Sequence, residues 1–152
     1  MNSITLVLPM APSSNRYWRH YVPRGHKRAI TVLSDEAKAF KAEVAVIAAQ
    51  AGVRKPLQGR VGVAYTMIPQ RPKDWAKRAK KDPEGWADSI RCIDLDNSLK
   101  VLMDSLNGIV IEDDKWARRF EIERGEPEDT AKMVVTVYRI EKAESPQQGL
   151  GI

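Results

Sequence analysis

Asp94-Leu95-Asp96-Asn97 is followed by Lys100, then Asp104, then Glu112-Asp113-Asp114. Six acids fall within 94–114, with Lys100 as the only base among them. Carboxylates are the donors that magnesium takes in small number, leaving its other positions to water and phosphate. The rest of the chain is basic: net charge +5 and pI about 9.4. Such a surface draws a polyanion toward the acidic patch. Acids, one lysine and a basic surround are together the equipment for metal-assisted cleavage of a phosphodiester.

Spacing sharpens this reading. Asp94 and Asp96 project to the same side if residues 92–96 are extended. Lys100 lies one helical turn after Asp96 and points to the same end of a helix. There it reaches a phosphate oxygen or charge developing in a transition state. Asp113-Asp114 offers a third ligand from a separate loop. Each element also has a plainer reading. An Asp before a helix is often a cap, Asp-Asp a solvated turn, and Lys100/Asp104 a surface pair at i, i+4. D-x-D-N alone is a weak signal; D-x-D-N-x-x-K with a helix and an Asp-Asp pair is more specific.

Other chemistries fit less well. An EF-hand counted from Asp94 would need Gly and Glu where Leu99 and Ser105 stand. A D-x-D-x-T phosphatase would want Thr or Val at Ser98 and a longer α/β sheet. There is no G-x-G-x-x-G or Walker loop, so no nucleotide cofactor is expected. His20 and His26 lack zinc spacing and Cys92 is distant, so the histidines read as surface groups or phosphate contacts. No Ser-His-Asp arrangement can be argued. Trp18, Trp75, Trp86 and Trp116 read as packing residues, with base stacking by Trp75 or Trp86 as the alternative.

The elements that must position these residues follow from local pattern. Residues 3–8 read as a strand stopped by Pro9. Residues 9–33 read as an irregular basic segment. Within it Arg16–Arg28 holds five Arg/Lys, two His and no acid, interleaved with Tyr17, Trp18 and Tyr21. Ser34-Asp35-Glu36 is helix-start chemistry, and Phe40, Val44, Ile47 and Ala48 keep helical spacing to about Ala51, before Gly52. Residues 59–68 read as a strand with Val61, Val63 and Tyr65 on one face. Residues 69–92 carry three Pro, seven Arg/Lys and four acids, an excursion with a short helix near Trp75–Lys81. Asp96 or Asn97 is expected to cap the next helix, whose stripe is Leu99, Leu102, Met103 and Leu106. Asn107-Gly108 stops it. Arg118–Arg124 and Lys132–Ile140 read as strands with Gly125–Asp129 as the turn between them.

The expected fold is therefore α/β (α+β), one domain on one mixed β-sheet with two main helices, in the order β-α-β-α-β-β. It spans 1–143, including the basic excursion at 69–92, and leaves 144–152 as a flexible tail. The chain is 43% hydrophobic and 30% charged, ordinary for a soluble domain with a real core. Cys92 is the one cysteine, which precludes an intrachain disulfide and fits a reducing cytoplasm. The amino end is too short and uncharged for a signal peptide, and no apolar run reaches membrane-spanning length.

These residues resemble the RusA family of Holliday junction resolvases, endodeoxyribonucleases of bacteria and their phages. Leu8-Pro9-Met10-Ala11-Pro12-Ser13-Ser14-Asn15-Arg16-Tyr17-Trp18-Arg19-His20 looks like that family's opening strand and proline-rich turn. The likeness resumes at Asp94-Leu95-Asp96-Asn97-Ser98-Leu99-Lys100, runs through Asp104-Ser105-Leu106 and closes at Glu112-Asp113-Asp114. The approach Ser89-Ile90-Arg91-Cys92-Ile93 is less basic than the family's arginine-rich run, and the 69–92 excursion is longer than in its smallest members.

The resemblance implies metal-binding Asp94, Asp96 and Asp114, with Lys100 catalytic. It implies Mg²⁺ (Mn²⁺ as substitute), a homodimer, and paired symmetric nicks in a four-way DNA junction during recombination and repair. Asp113 is expected either to orient the site or to be merely solvated. Asn15, Arg16, Lys27, Arg28 and Arg91 are expected to hold DNA through phosphates. The expected location is the cytoplasm, at the nucleoid, in a bacterium, prophage or phage. The rival readings are a nuclease for other branched DNA and a non-catalytic DNA-binding protein.

Overall fold

Alternation in the first strand sends Ile4, Leu6 and Leu8 inward and leaves Thr5 and Val7 outside. This is β1 (Ser3–Leu8) in a computed structural model that describes residues 1–142. β1 pairs antiparallel with β6 (Lys132–Arg139), which pairs antiparallel with β4 (Val61–Ile68). β4 pairs in parallel with β5 (Ala117–Arg124), giving a mixed sheet in the order β1-β6-β4-β5. The expected turn between the last two strands is instead a crossover: β5 and β6 do not touch, because β4 lies between them.

One sheet face carries Val61, Val63, Tyr65, Met67, Met133, Val135 and Val137, all buried. Two helices cover it. α1 (Asp35–Gln50) is capped by Ser34, whose hydroxyl accepts from the Ala37 N–H at 3.2 Å. It buries Ala37, Phe40, Val44 and Ala48 at helical spacing, and Gly52 ends it at φ 87°. The third helix, α3 (Leu95–Leu106), buries Val101, Leu102, Met103 and Leu106, while Leu99 is half-buried. Each fully buried aliphatic side chain contributes about 1.5–3 kcal/mol. The 69–92 excursion contains the short helix α2 (Trp75–Lys81), where the sequence placed it.

The segment expected to be irregular, 9–33, holds a hairpin. β2 (Trp18–Tyr21) pairs with β3 (Ile30–Leu33) in a separate two-stranded sheet. Trp18–Tyr21 is exposed throughout, so no alternation of burial marks it in the sequence. The expected tail, 144–152, lies outside the described residues.

Candidate active site

The first turn of α3 is pinned from two sides. Tyr65 on β4 and Ser98 join hydroxyls at 2.7 Å in the core, and Ser98 also donates to the Leu95 carbonyl at 2.7 Å. From the other side, the Ser14 hydroxyl donates to Asn97 Oδ1 at 2.8 Å, and Asn97 Nδ2 donates to Asp94 Oδ2 at 3.5 Å. The helix therefore starts at Leu95 with Asp94 at its cap position, not at Asp96 or Asn97. Asp94 is extended (φ −63°, ψ 146°) while Asp96 is already helical. The extended run through 96 that would put both on one side does not exist, because the helix interrupts the period of two.

The second acidic group is fixed independently. Gly108 takes φ 80° after Asn107, and its N–H donates to the Ile111 carbonyl at 2.7 Å. Val110 and Ile111 are fully buried. The Leu57 N–H donates to the Val110 carbonyl at 2.8 Å, and the Gly59 N–H to Glu112 Oε1 at 2.6 Å. Asp113 caps the short turn Asp114–Trp116 by accepting from the Lys115 N–H at 3.0 Å. That bond, a second with Asp114 and the nearby Lys115 charge hold the Asp113 carboxyl below its ordinary range.

The two groups meet in a groove of about 340 Å³ lined by Asp96, Lys100, Asp104 and Asp114, with Leu99, Met103 and Phe120 as apolar walls. Asp94 does not line it; its carboxylate faces Asn97 at the helix start. Lys100 Nζ stands 3.7 Å from Asp104 Oδ1, and its side chain is 61% exposed. Asp104 Oδ2 accepts the Tyr17 hydroxyl at 2.6 Å. Tyr17 is 2% exposed, and burial, then the bond to Asp104 and its charge, raise the phenol far above its ordinary pKa. It stays protonated, a fixed donor that orients Asp104.

Of the expected DNA contacts, Asn15 and Arg16 are exposed on the turn Ser14–Arg16, beside Asn97. Lys27 and Arg28 are exposed on the hairpin loop, past four residues of β2, or roughly 13 Å of strand. Arg91 is exposed, three residues before Asp94. Trp75 and Trp86 pack on each other with centroids 5.8 Å apart. Burial raises the Cys92 thiol, with Arg124 drawing it partly back, so it remains a thiol. Sequence reasoning missed Phe120 and Met103 as groove walls. The available signal was Phe120 itself, one aromatic among the charges of 118–124, and it is 43% exposed.

The family model described as Endodeoxyribonuclease RusA matches residues 8–138. The chain belongs to the RusA endodeoxyribonuclease family. It is a hydrolase acting on DNA, and RusA enzymes are structure-specific endonucleases of Holliday junctions. No curated protein matches the chain. Among the described residues no helix is long and apolar enough to cross a membrane.

RusA resolvases depend on a divalent metal. Among the described residues, no three His, Cys, Asp or Glu side chains converge into a ready cluster. The donors are all carboxylate oxygens, and Asp96 and Asp114 line one open groove. Magnesium is commonly held by one or two carboxylates plus substrate phosphates, so an open RusA site of this kind fits it.

Proposed function

We propose that this chain resolves four-way DNA junctions, as a homodimer and with Mg²⁺, during recombination and repair. Asp96 and Asp114 would hold the ion in the groove, with Asp94 joining from the helix start. Mn²⁺ would substitute. When bound, the ion would lower the pKa of a water and neutralise phosphoryl oxygens. Lys100, on the same groove, neutralises charge on the scissile phosphate. Asp104 and Tyr17 hold Lys100 in place. Asp113 fixes the turn that carries Asp114.

The observation that carries the reading is the meeting of Asp96, Lys100 and Asp114 in one groove, from two parts of the chain anchored separately. Asn15, Arg16, Lys27, Arg28 and Arg91 would grip phosphates along the arms. A C₂ dimer presents two identical sites to two strands related by a two-fold axis, which paired cuts require. The substrate places the protein at chromosomal or phage DNA in a bacterial cytoplasm.

The test is incubation with a synthetic four-way junction, and with flap and duplex controls, with and without Mg²⁺. Paired symmetric nicks that need the metal are expected on the junction. Nicks on flaps alone point to another branched substrate, and no cutting anywhere defeats the reading. Sedimentation is expected to give a mass near twice 17.1 kDa. A monomer that still makes paired nicks defeats the symmetry argument.

A further inference from the structure

The 69–92 excursion builds a second groove, of about 490 Å³, whose charged lining is Arg71, Lys73, Arg78 and Arg91. No carboxylate lines it. Asp74 meets Arg78 Nε at 3.1 Å and Asp129 pairs with Arg71, but both stand outside the lining. Lys73 and Arg91 have no acid partner among the described residues.

The walls are fixed. The Arg71 guanidinium stacks 4.3 Å over Trp75, which packs on Trp86. Arg78 donates to the Ser89 hydroxyl at 3.4 Å, tying one wall to the other. The Ile90 carbonyl accepts from Arg124, which fastens the groove to the edge of the main sheet. With Arg71 and Arg78 each paired to an acid, the groove keeps the two uncompensated charges of Lys73 and Arg91, which favour an anion there.

We propose that this groove binds the backbone phosphates of a DNA arm next to the cut. The inference rests on the junction-cutting reading and gives the excursion its role. Position follows from chain length. Arg91 precedes Asp96, which lines the first groove with Lys100, by five positions, at most about 18 Å of extended chain. One DNA strand carries a phosphate about every 3.4 Å along the axis. The groove therefore lies within about five phosphates of the scissile one. Arginine and lysine there read charge, not sequence, so they set the register of the arm.

Two measurements test this, both in EDTA so that nothing is cut. The first is the salt dependence of junction binding by wild type and by the double variant Lys73→Ala/Arg91→Ala. Both side chains are exposed, so the fold is retained. The slope of log K against log salt is expected to weaken by about 0.9 for each phosphate no longer neutralised, hence by roughly two. The second places neutral methylphosphonates within about five nucleotides of the cut, on either side. They are expected to weaken wild-type binding about as much as the double variant does, and to add little to that variant. An unchanged slope, or methylphosphonate effects that add in full to the variant's, overturns the inference. Wild type making paired nicks despite such a result leaves the junction reading intact. Wild type cutting no junction brings down that reading instead.

Discussion

The hydroxyl of the buried Tyr17 donates to Asp104 at 2.6 Å across 87 residues of chain. The other oxygen of the same carboxylate faces Lys100 at 3.7 Å. The opening motif thus reaches Lys100 through one carboxylate. Tyr17→Phe keeps the ring and removes the donor. Removing a hydrogen bond of this kind costs about 0.5–1.5 kcal/mol, or roughly a two- to tenfold drop in rate. That drop is expected in single-turnover cleavage at saturating junction, with affinity nearly unchanged. Equal drops in both would make Tyr17 a folding residue only.

The same bond has a signature at high pH. The folded phenol is held protonated above its ordinary pKa near 10, while the unfolded one ionises there. The unfolded state then binds fewer protons, so stability falls as pH rises past about 10. Tyr65, also raised by burial and drawn partly back by Ser98, adds to the decline. Urea midpoints at pH 9 and 11 are expected to fall less in Tyr17→Phe than in wild type. Parallel declines would mean that Tyr17 ionises freely.

Asp96→Asn keeps the shape of the groove and removes one charge from it. Cleavage is expected to fall by two or more orders of magnitude, given several kcal/mol of metal-derived stabilisation. Junction binding in EDTA is expected to hold or tighten, since a negative charge has left a DNA-facing surface. Normal turnover by this variant would remove Asp96 from the ligand set.

Lys100→Ala is expected to lower the cleavage rate by at least tenfold and affinity by much less, because one exposed charge contributes little to binding. Lys100→Arg keeps charge but not shape, and is expected to recover only part of the rate. Gel-shift and quenched-flow measurements on the same preparations separate the two effects.

Gly108→Ala probes the loop that carries Asp114. An L side chain in the left-handed region costs about 1–2 kcal/mol. A lower denaturation midpoint is expected, together with slower cleavage, because relaxation of that turn moves Asp114. A destabilised variant with unchanged cleavage would show that the buried Val110-Ile111 pair alone holds the loop.

Much of the fold could be read from short-range pattern. The edges of α1 and the inward faces of β1 and β4 follow from capping and burial periods of 3.6 and 2. What escaped depends on distant partners. β2 is exposed and β3 only half-buried at its end, and cross-strand pairs such as His20–Thr31 leave no period to detect. Asp94, Asp96 and Asn97 can all cap, and tertiary bonds from Tyr65 and Ser14 decide among them. The parallel pairing of β4 with β5 is non-local by nature. At the site, the one-turn relation of Asp96 to Lys100 was legible. The walls formed by Phe120 and Met103, and Asp104's bond to Tyr17, were not, since each arises where separate elements meet.

Asn97 touches Ser14 with one end of its amide and Asp94 with the other. In the proposed reaction, grip and scission would thereby be soldered at a single residue. Variants that uncouple the two are then not to be sought there, nor at Ser14, where a change is expected to disturb both at once. The hairpin tip at Lys27 and Arg28, a strand's length away, is the place to loosen the hold on substrate while the blade stays sharp.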